Sequence, residues 1–346
     1  MVEKVCSSGR GSGGGGVVPA AALPQGVRDI LPEEAARISL VESTILSVFE
    51  RYSFERVITP IVEYLDSLAL GSGEDLRARA LKFIEPVTGR VVAIRPDITP
   101  QIARLAATRM RDCPLPLKLC YNESVLRCLD QPERKMREVL QVGAEYVTDR
   151  PSAEVDAEMI VVAVEALRAL GLEDFKIDIG DVGFVRAVLD GLAVDDDERA
   201  KLRGALARKD STGLAALVSG LDGVSAGERE LLVALATFYG EEEVIEKALP
   251  YCDDEATRTP LENLGRMMEI VDEKGVKDWV TIDLGEVRGF DYYTGTIFEG
   301  FACGIGKPIL SGGRYDDLLA RYGYPCASTG LAFDVEQVAC AMERDR

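Results

Sequence analysis

The sequence predicts an α+β protein in which helices pack on a sheet, and three observations carry that prediction. Behind Pro32, the residues Ala35, Ile38, Val41, Ile45, Val48 and Phe49 recur at helical spacing. Two pairs of strand-like segments follow, Leu81 to Ile84 with Arg90 to Arg95 and Leu117 to Leu126 with Glu138 to Val147. From residue 182 to about 276 the chain is alanine, leucine and charge at helical periods, broken by Gly204, Gly213, Gly220, Gly223 and Gly240, which predicts a small helical insertion.

Taken in order, residues 1 to 22 read as a flexible Gly/Ser-rich tail. Its literal G-x-G-x-x-G has no strand before it and no helix pattern after it, so a phosphate loop is excluded by context. The folded part begins at Leu23 with the amphipathic helix. Val57 to Tyr64 is β-branched around Pro60, and a proline in a strand points to an edge or an interface, here a dimer surface. Pro86 to Gly89 is a four-residue hairpin turn whose second strand delivers Arg95-Pro96-Asp97. Asp97 or Thr99 then caps a helix starting near Pro100.

Arg127 stands at the end of the strand Leu117 to Leu126, before a polar loop, CLDQPERKM. Read with period two, the next strand puts Gln141, Gly143 and Glu145 on one face and Leu140, Val142, Ala144 and Tyr146 on a core face. Gly143 leaves room for a ligand to approach an amide and a carboxylate; a solvated strand face is the alternative. Glu154 to Leu170 is a helix and Phe175 to Ile179 a strand. Val280 to Leu284 and Tyr292 to Phe298 read as two strands flanking a polar loop with Arg288 and Asp291-Tyr292-Tyr293 at strand ends. A planar guanidinium suits a carboxylate or phosphate and a tyrosine offers a flat face with a polar tip, a set that fits a small zwitterion. A surface arginine beside two core tyrosines is the alternative. Ile309 to Leu319 and Thr329 to Met342 each pass from strand into helix.

Composition narrows the function. With 346 residues, 47% apolar and 29% charged, the chain can build a sizeable core. No apolar run reaches the length of a membrane span and no export signal opens the chain, so a cytoplasmic protein is expected. A formal charge of -19, from 59 acidic and 40 basic side chains, disfavours nucleic acid. The cysteines lack C-x-x-C pairs and predict free thiols. The chain contains no histidine, which removes histidine-based triads and metal sites; no metal and no cofactor is expected.

Several separated stretches, LPQGVRDILP, TPIVE, RPDITP, LRCLDQPERKMREVLQVGAEYV, VRGFDYYTGTIFE and SGGRYDDLL, resemble in order the catalytic domain of histidyl-tRNA synthetase, a class II aminoacyl-tRNA synthetase. The resemblance runs from Leu23 to about Met342. It implies an antiparallel sheet flanked by helices and a histidine pocket. Asp97, Thr99 and Gln141 would surround the ammonium group, Glu145 and Tyr293 would face the imidazole with Tyr292 beside them, and Arg127 and Arg288 would face the carboxylate. The departures concern ATP. The motif 2 pattern FRxERPQxGRxR is replaced by Leu129, Asp130, Gln131 and Pro132 with Lys135 for an arginine, and Gln337 stands where motif 3 has arginine. No anticodon-binding domain is expected.

A synthetase-like chain with an intact amino-acid pocket and altered ATP and tRNA parts is similar to the regulatory subunits of ATP phosphoribosyltransferase. That resemblance implies a non-catalytic subunit acting in the first step of histidine biosynthesis. It also implies a short-form catalytic partner, usually in a hetero-octamer, a homodimer through the motif 1 region, histidine as effector, and no tRNA or membrane partner. The rival reading is a divergent or truncated histidyl-tRNA synthetase that still activates histidine with ATP.

Overall fold

The computed structural model describes residues 22–128, 137–289 and 292–344. Among them, twelve strands run in chain order: β1 (Glu55–Arg56), β2 (Val62–Tyr64), β3 (Leu81–Ile84), β4 (Val91–Ile94), β5 (Leu117–Leu126), β6 (Glu138–Thr148), β7 (Phe175–Asp181), β8 (Tyr239–Gly240), β9 (Val280–Asp283), β10 (Thr296–Ala302), β11 (Leu310–Arg314) and β12 (Ala327–Asp334). They form a nine-stranded sheet, β1-β5-β6-β12-β11-β10-β7-β9-β8, and a three-stranded sheet, β2-β4-β3. Pairing is antiparallel apart from β1 with β5 and β7 with β9.

One face of the large sheet carries the main core. The helix Pro32–Arg51 starts with proline in its first turn beside Glu33 and Glu34 and ends with Arg51, an order that complements the helix dipole. It buries Ile38, Val41, Ile45, Val48 and Phe49 against the sheet and the helices Ala153–Ala169 and Val335–Arg344. Five such side chains contribute on the order of 10 kcal/mol of hydrophobic stabilisation. Val142, Ala144 and Tyr146 of β6 join this core, as the period-two reading requires, so Gln141, Gly143 and Glu145 take the opposite face.

Several expectations are corrected. Residues 57 to 64 do not form one strand: only Val62–Tyr64 is strand, β2 of the small sheet, and the chain turns at 57–61 after β1 of the large sheet. Pro60 has no N–H to give a ladder, the Thr59 N–H donates to Glu123 Oε1 at 2.9 Å, and the Thr59 carbonyl accepts from Arg95 Nη1 at 3.0 Å. The helix Leu65–Arg79, for which the sequence shows no clear apolar period, follows β2. The strands at 280 and 296 are not adjacent, because β7 lies between them and pairs with both. Strand β10 starts at Thr296 rather than at Tyr292, since the amides of Tyr292 and Tyr293 both donate to the Gly289 carbonyl in a tight turn at Gly289, φ +62°.

The segment 182–276 is mostly helical, yet β8 within it extends the large sheet, and its apolar residues join the main core instead of forming their own. Cys113, Cys120, Cys128, Cys252, Cys326 and Cys340 carry free thiols, as expected. The tail at 1–21, Leu129 to Met136 of the polar loop, and Asp291 lie outside the described residues.

Candidate functional site

Sheet register places the site. Glu145 on β6 lies opposite Gly330 on β12, which lies opposite Gly313 on β11. The missing side chains at these two glycines form a trough in the sheet that the Glu145 carboxyl, the Tyr315 hydroxyl and the Tyr293 ring occupy. A Cβ at Gly330 would overlap Glu145 Oε2 and stand 2.7 Å from the Tyr315 hydroxyl. At Gly313 it would stand 2.9 Å from the Tyr293 ring. Gly143, expected to admit a ligand, instead admits the ring of Tyr121 from β5, which a Cβ there would overlap. The space was correctly inferred, but a side chain of the protein fills it.

Glu145 is 1% exposed. Thr99 Oγ1 donates to its Oε1 at 2.7 Å, and the Tyr315 hydroxyl donates to its Oε2 in a very short contact. Burial pushes the Glu145 carboxyl well above the usual carboxylate range, and the nearby Asp97 charge adds to this while the Thr99 hydrogen bond opposes it. Asp97 accepts from the amides of Ile98, at 2.7 Å, and Thr99, at 3.3 Å, at the entry to the helix Thr99–Arg109. The N-cap position itself falls to Ile98, which makes no side-chain cap hydrogen bond, so neither expected cap holds it, and the Thr99 hydroxyl is spent on Glu145.

Tyr292 and Tyr293 meet edge to face at 5.0 Å, and Tyr292 lies 5.6 Å from the Tyr315 ring. Burial, followed by the charges of Asp97 and Glu145, raises both the Tyr292 and the Tyr293 hydroxyl pKa, so both stay protonated. The Tyr292 hydroxyl and Gln141 Oε1 are buried with no hydrogen-bond partner. A buried polar atom left unsatisfied costs about 1–3 kcal/mol.

The two arginines lie apart from this cluster's centre. Arg127 donates through Nε to the Pro96 carbonyl at 2.9 Å and lines a cleft of about 430 Å³ that reaches Gln141. Arg288, whose side chain is 52% exposed, is ion-paired with Glu286 and Glu299 and borders a smaller cavity of about 140 Å³ that reaches Tyr293. Five of the eight expected residues, Asp97, Thr99, Glu145, Tyr292 and Tyr293, thus gather around the trough, Gln141 lies four residues back along β6 on the larger cleft, and Arg127 and Arg288 flank the cluster.

Sequence reasoning missed Tyr121, Tyr315 and the ion pair that fixes the trough's floor. Arg314, at the end of β11, binds Asp156 through Nε at 3.0 Å and Nη2 at 2.8 Å, and Nη2 also reaches the Ser152 carbonyl at 2.8 Å. This buried pair ties β11, and Tyr315 after it, to the start of the helix Ala153–Ala169. The GGRYDD run held both Arg314 and Tyr315, and its arginine between glycine and tyrosine was the available signal.

Among the described residues, the cleft offers a triphosphate little positive charge. Among its described lining residues, Arg127 and Lys307 face Glu138, Glu299, Asp334 and Glu336, and Gln337 adds no charge. Burial pushes the Asp334 carboxyl up to about 6; it also caps the following helix by accepting from the Gln337 amide at 3.1 Å. Among the described residues no cluster of His, Cys, Asp or Glu could hold a metal ion, and no helix is long and apolar enough to cross a membrane. The trough sets a buried carboxyl at its base, phenols at its walls and Asp97 at its side.

Comparisons with known proteins fit this geometry. The sequence profile of the family described as histidyl-tRNA synthetase matches residues 26–338. The ATP phosphoribosyltransferase regulatory subunit of Geobacter metallireducens is 44% identical over 324 residues, covering 94% of this chain and 74% of that protein. Its counterpart in Geobacter sulfurreducens is 42% identical over the same shares. Among solved structures, an ATP phosphoribosyltransferase regulatory subunit/histidyl-tRNA synthetase from Bacillus halodurans superposes with a TM-score of 0.87 at 30% identity, covering 93% of this chain and 83% of that one. With a class II synthetase fold throughout and relatives of this name over most of its length, the chain belongs to the family of ATP phosphoribosyltransferase regulatory subunits, built on the histidyl-tRNA synthetase fold.

Proposed function

We propose that this chain is the regulatory subunit of an ATP phosphoribosyltransferase in the first step of histidine biosynthesis, that it catalyses nothing itself, and that it senses histidine in the trough. In this reading Glu145 reads the imidazole with Tyr293 and Tyr292, while Asp97, Thr99 and Gln141 surround the ammonium group. Arg127 and Arg288 take the carboxylate. The observation that carries the reading is Glu145: a buried carboxyl held by two hydroxyls, with Gln141 Oε1 and the Tyr292 hydroxyl left without partners. An imidazole and an ammonium group bring the donors these acceptors lack.

The partner is a short-form catalytic subunit, and the assembly is a hetero-octamer in the cytoplasm. A homodimer through the segment 57–64 supplies its symmetric core. Ile58, 80% exposed, and Ile61, 56% exposed, support this, since they stand beside Pro60 on a rim braced beneath by the buried Arg95–Glu123 pair.

Reconstitution with the catalytic subunit tests the reading. Histidine should inhibit the complex, and Gln141→Ala should blunt that inhibition more than it lowers basal activity. A coupling of about 1–3 kcal/mol, the common range, appears as a 5- to 150-fold change in effective affinity. If the mutant assembles normally and stays as sensitive as the parent, the sensing site lies elsewhere; if no phosphoribosyltransferase copurifies with the tagged chain from its own cells, the assignment of partner fails.

A further inference from the structure

Arg288 does not stand open to a ligand. Its Nη2 binds Glu286 Oε2 at 3.0 Å, its Nε reaches Glu286 Oε1 at 3.3 Å, and its Nη1 makes a very short contact with Glu299. Its guanidinium also lies 5.9 Å from the ring of Phe301. The two glutamates are not equivalent. Glu286 Oε1 is tied to the amides of Val287, at 2.9 Å, and Arg288, at 2.8 Å, and so belongs to the loop's own fold. The Glu299 carboxylate comes from β10, opposite Ser311 of β11, and meets Arg288 across the mouth of the site. Glu299, with Ser311 opposite it, borders both the cavity of about 140 Å³, which Arg288 also lines, and the cleft of about 430 Å³, so it stands between them.

We propose that Glu299 is a specificity determinant that withholds Arg288 until the carboxylate of an α-amino acid displaces it. The inference rests on the reading that Arg288 meets the ligand's carboxylate. Glu286 takes the Nε/Nη2 edge of the guanidinium, so a further carboxylate can take the Nη1/Nη2 edge with two hydrogen bonds only if Glu299 leaves; Glu299, without the backbone anchors of Glu286, is the one free to go. Because Arg288 is half exposed, the pair it leaves is a weak one and the exchange is easy. An amine with the same ring but no carboxylate cannot make the exchange. Glu299 therefore makes the site choose amino acids over the corresponding amines, and its release joins the two cavities.

The test compares histidine with histamine by calorimetry on the full chain, with thermal midpoints measured to confirm folding. Glu299→Gln should tighten histidine about 2- to 5-fold, the range of a partly exposed ion pair, and should leave histamine no tighter. In an Arg288→Ala background, adding Glu299→Gln should no longer favour histidine over histamine. An equal shift for both ligands, weaker histidine binding by Glu299→Gln, or an undiminished effect without Arg288 would overturn the inference alone. If the parent protein binds neither ligand, the histidine reading falls and takes this inference with it.

Discussion

Replacing Glu145 offers the most direct test of how the site recognises a ring. Glu145→Ala removes the acceptor at the base of the trough, and a charge-assisted hydrogen bond there is worth about 1.5–3 kcal/mol. Histidine affinity should fall about 10- to 150-fold. Glu145→Gln keeps size and one acceptor, so a neutral bond worth about 0.5–1.5 kcal/mol remains and the loss should be smaller than for alanine. The same pair of variants has a pH signature. In the folded chain burial raises the Glu145 pKa above its ordinary 4.5. Below 4.5 the group is protonated in both states and costs nothing. As pH rises past 4.5 the unfolded chain releases the proton while the folded chain keeps it, so the parent's stability declines up to the folded pKa. Glu145→Gln cannot lose this proton and should flatten that decline. Calorimetric titration with histidine and thermal unfolding from pH 4 to 9 measure both effects. Equal histidine affinity in parent and alanine variant, together with parallel melting curves for parent and glutamine variant, would refute the reasoning.

Three further outcomes follow from the geometry. Gly330→Ala should cost about 1–3 kcal/mol by forcing a methyl into the Glu145 carboxyl, and most of that cost should vanish in a Glu145→Ala background; additive denaturation midpoints would contradict the contact. Gln141→Leu removes a buried acceptor that has no partner, so it should raise the melting temperature of the ligand-free chain while weakening histidine binding, as paired thermal and calorimetric runs will show. Purified protein should show no histidine-dependent exchange of pyrophosphate into ATP, because the cleft carries Gln337 and four carboxylates against Arg127 and Lys307 among its described residues; robust exchange would restore the synthetase reading.

Where side chains alternate strictly, the sequence was readable. The period-two split of β6 correctly separated Val142, Ala144 and Tyr146 from Gln141 and Glu145, and the hairpin of β3 and β4 fell where Pro86 to Gly89 put it. What escaped were relations across strands. Nothing local to β9 and β10 says that β7 enters between them, because register and neighbour choice are tertiary facts. Tyr121, within β5, and Tyr315, just after β11, are ordinary aromatics in the sequence, and only the bare Cα positions at Gly143 and Gly330 make room for the Tyr121 ring and the Tyr315 hydroxyl. Arg288 was legible as a site arginine, but its capture by Glu299, eleven residues on, depends on how two strands cross.

The register of β6 and β12 carries a consequence for descent. Glu145 pairs with Gly330, whereas Gln141, four residues earlier, pairs with Asp334, which begins the wall holding Gln337. Four residues of extended chain separate the two levels by roughly 13 Å. Substitutions accumulating along the far level can dismantle phosphate handling without touching the groups around Glu145. A lineage could in this way retire an enzyme's chemistry and keep its sense of one amino acid, since the two properties are written on different rungs of the same ladder.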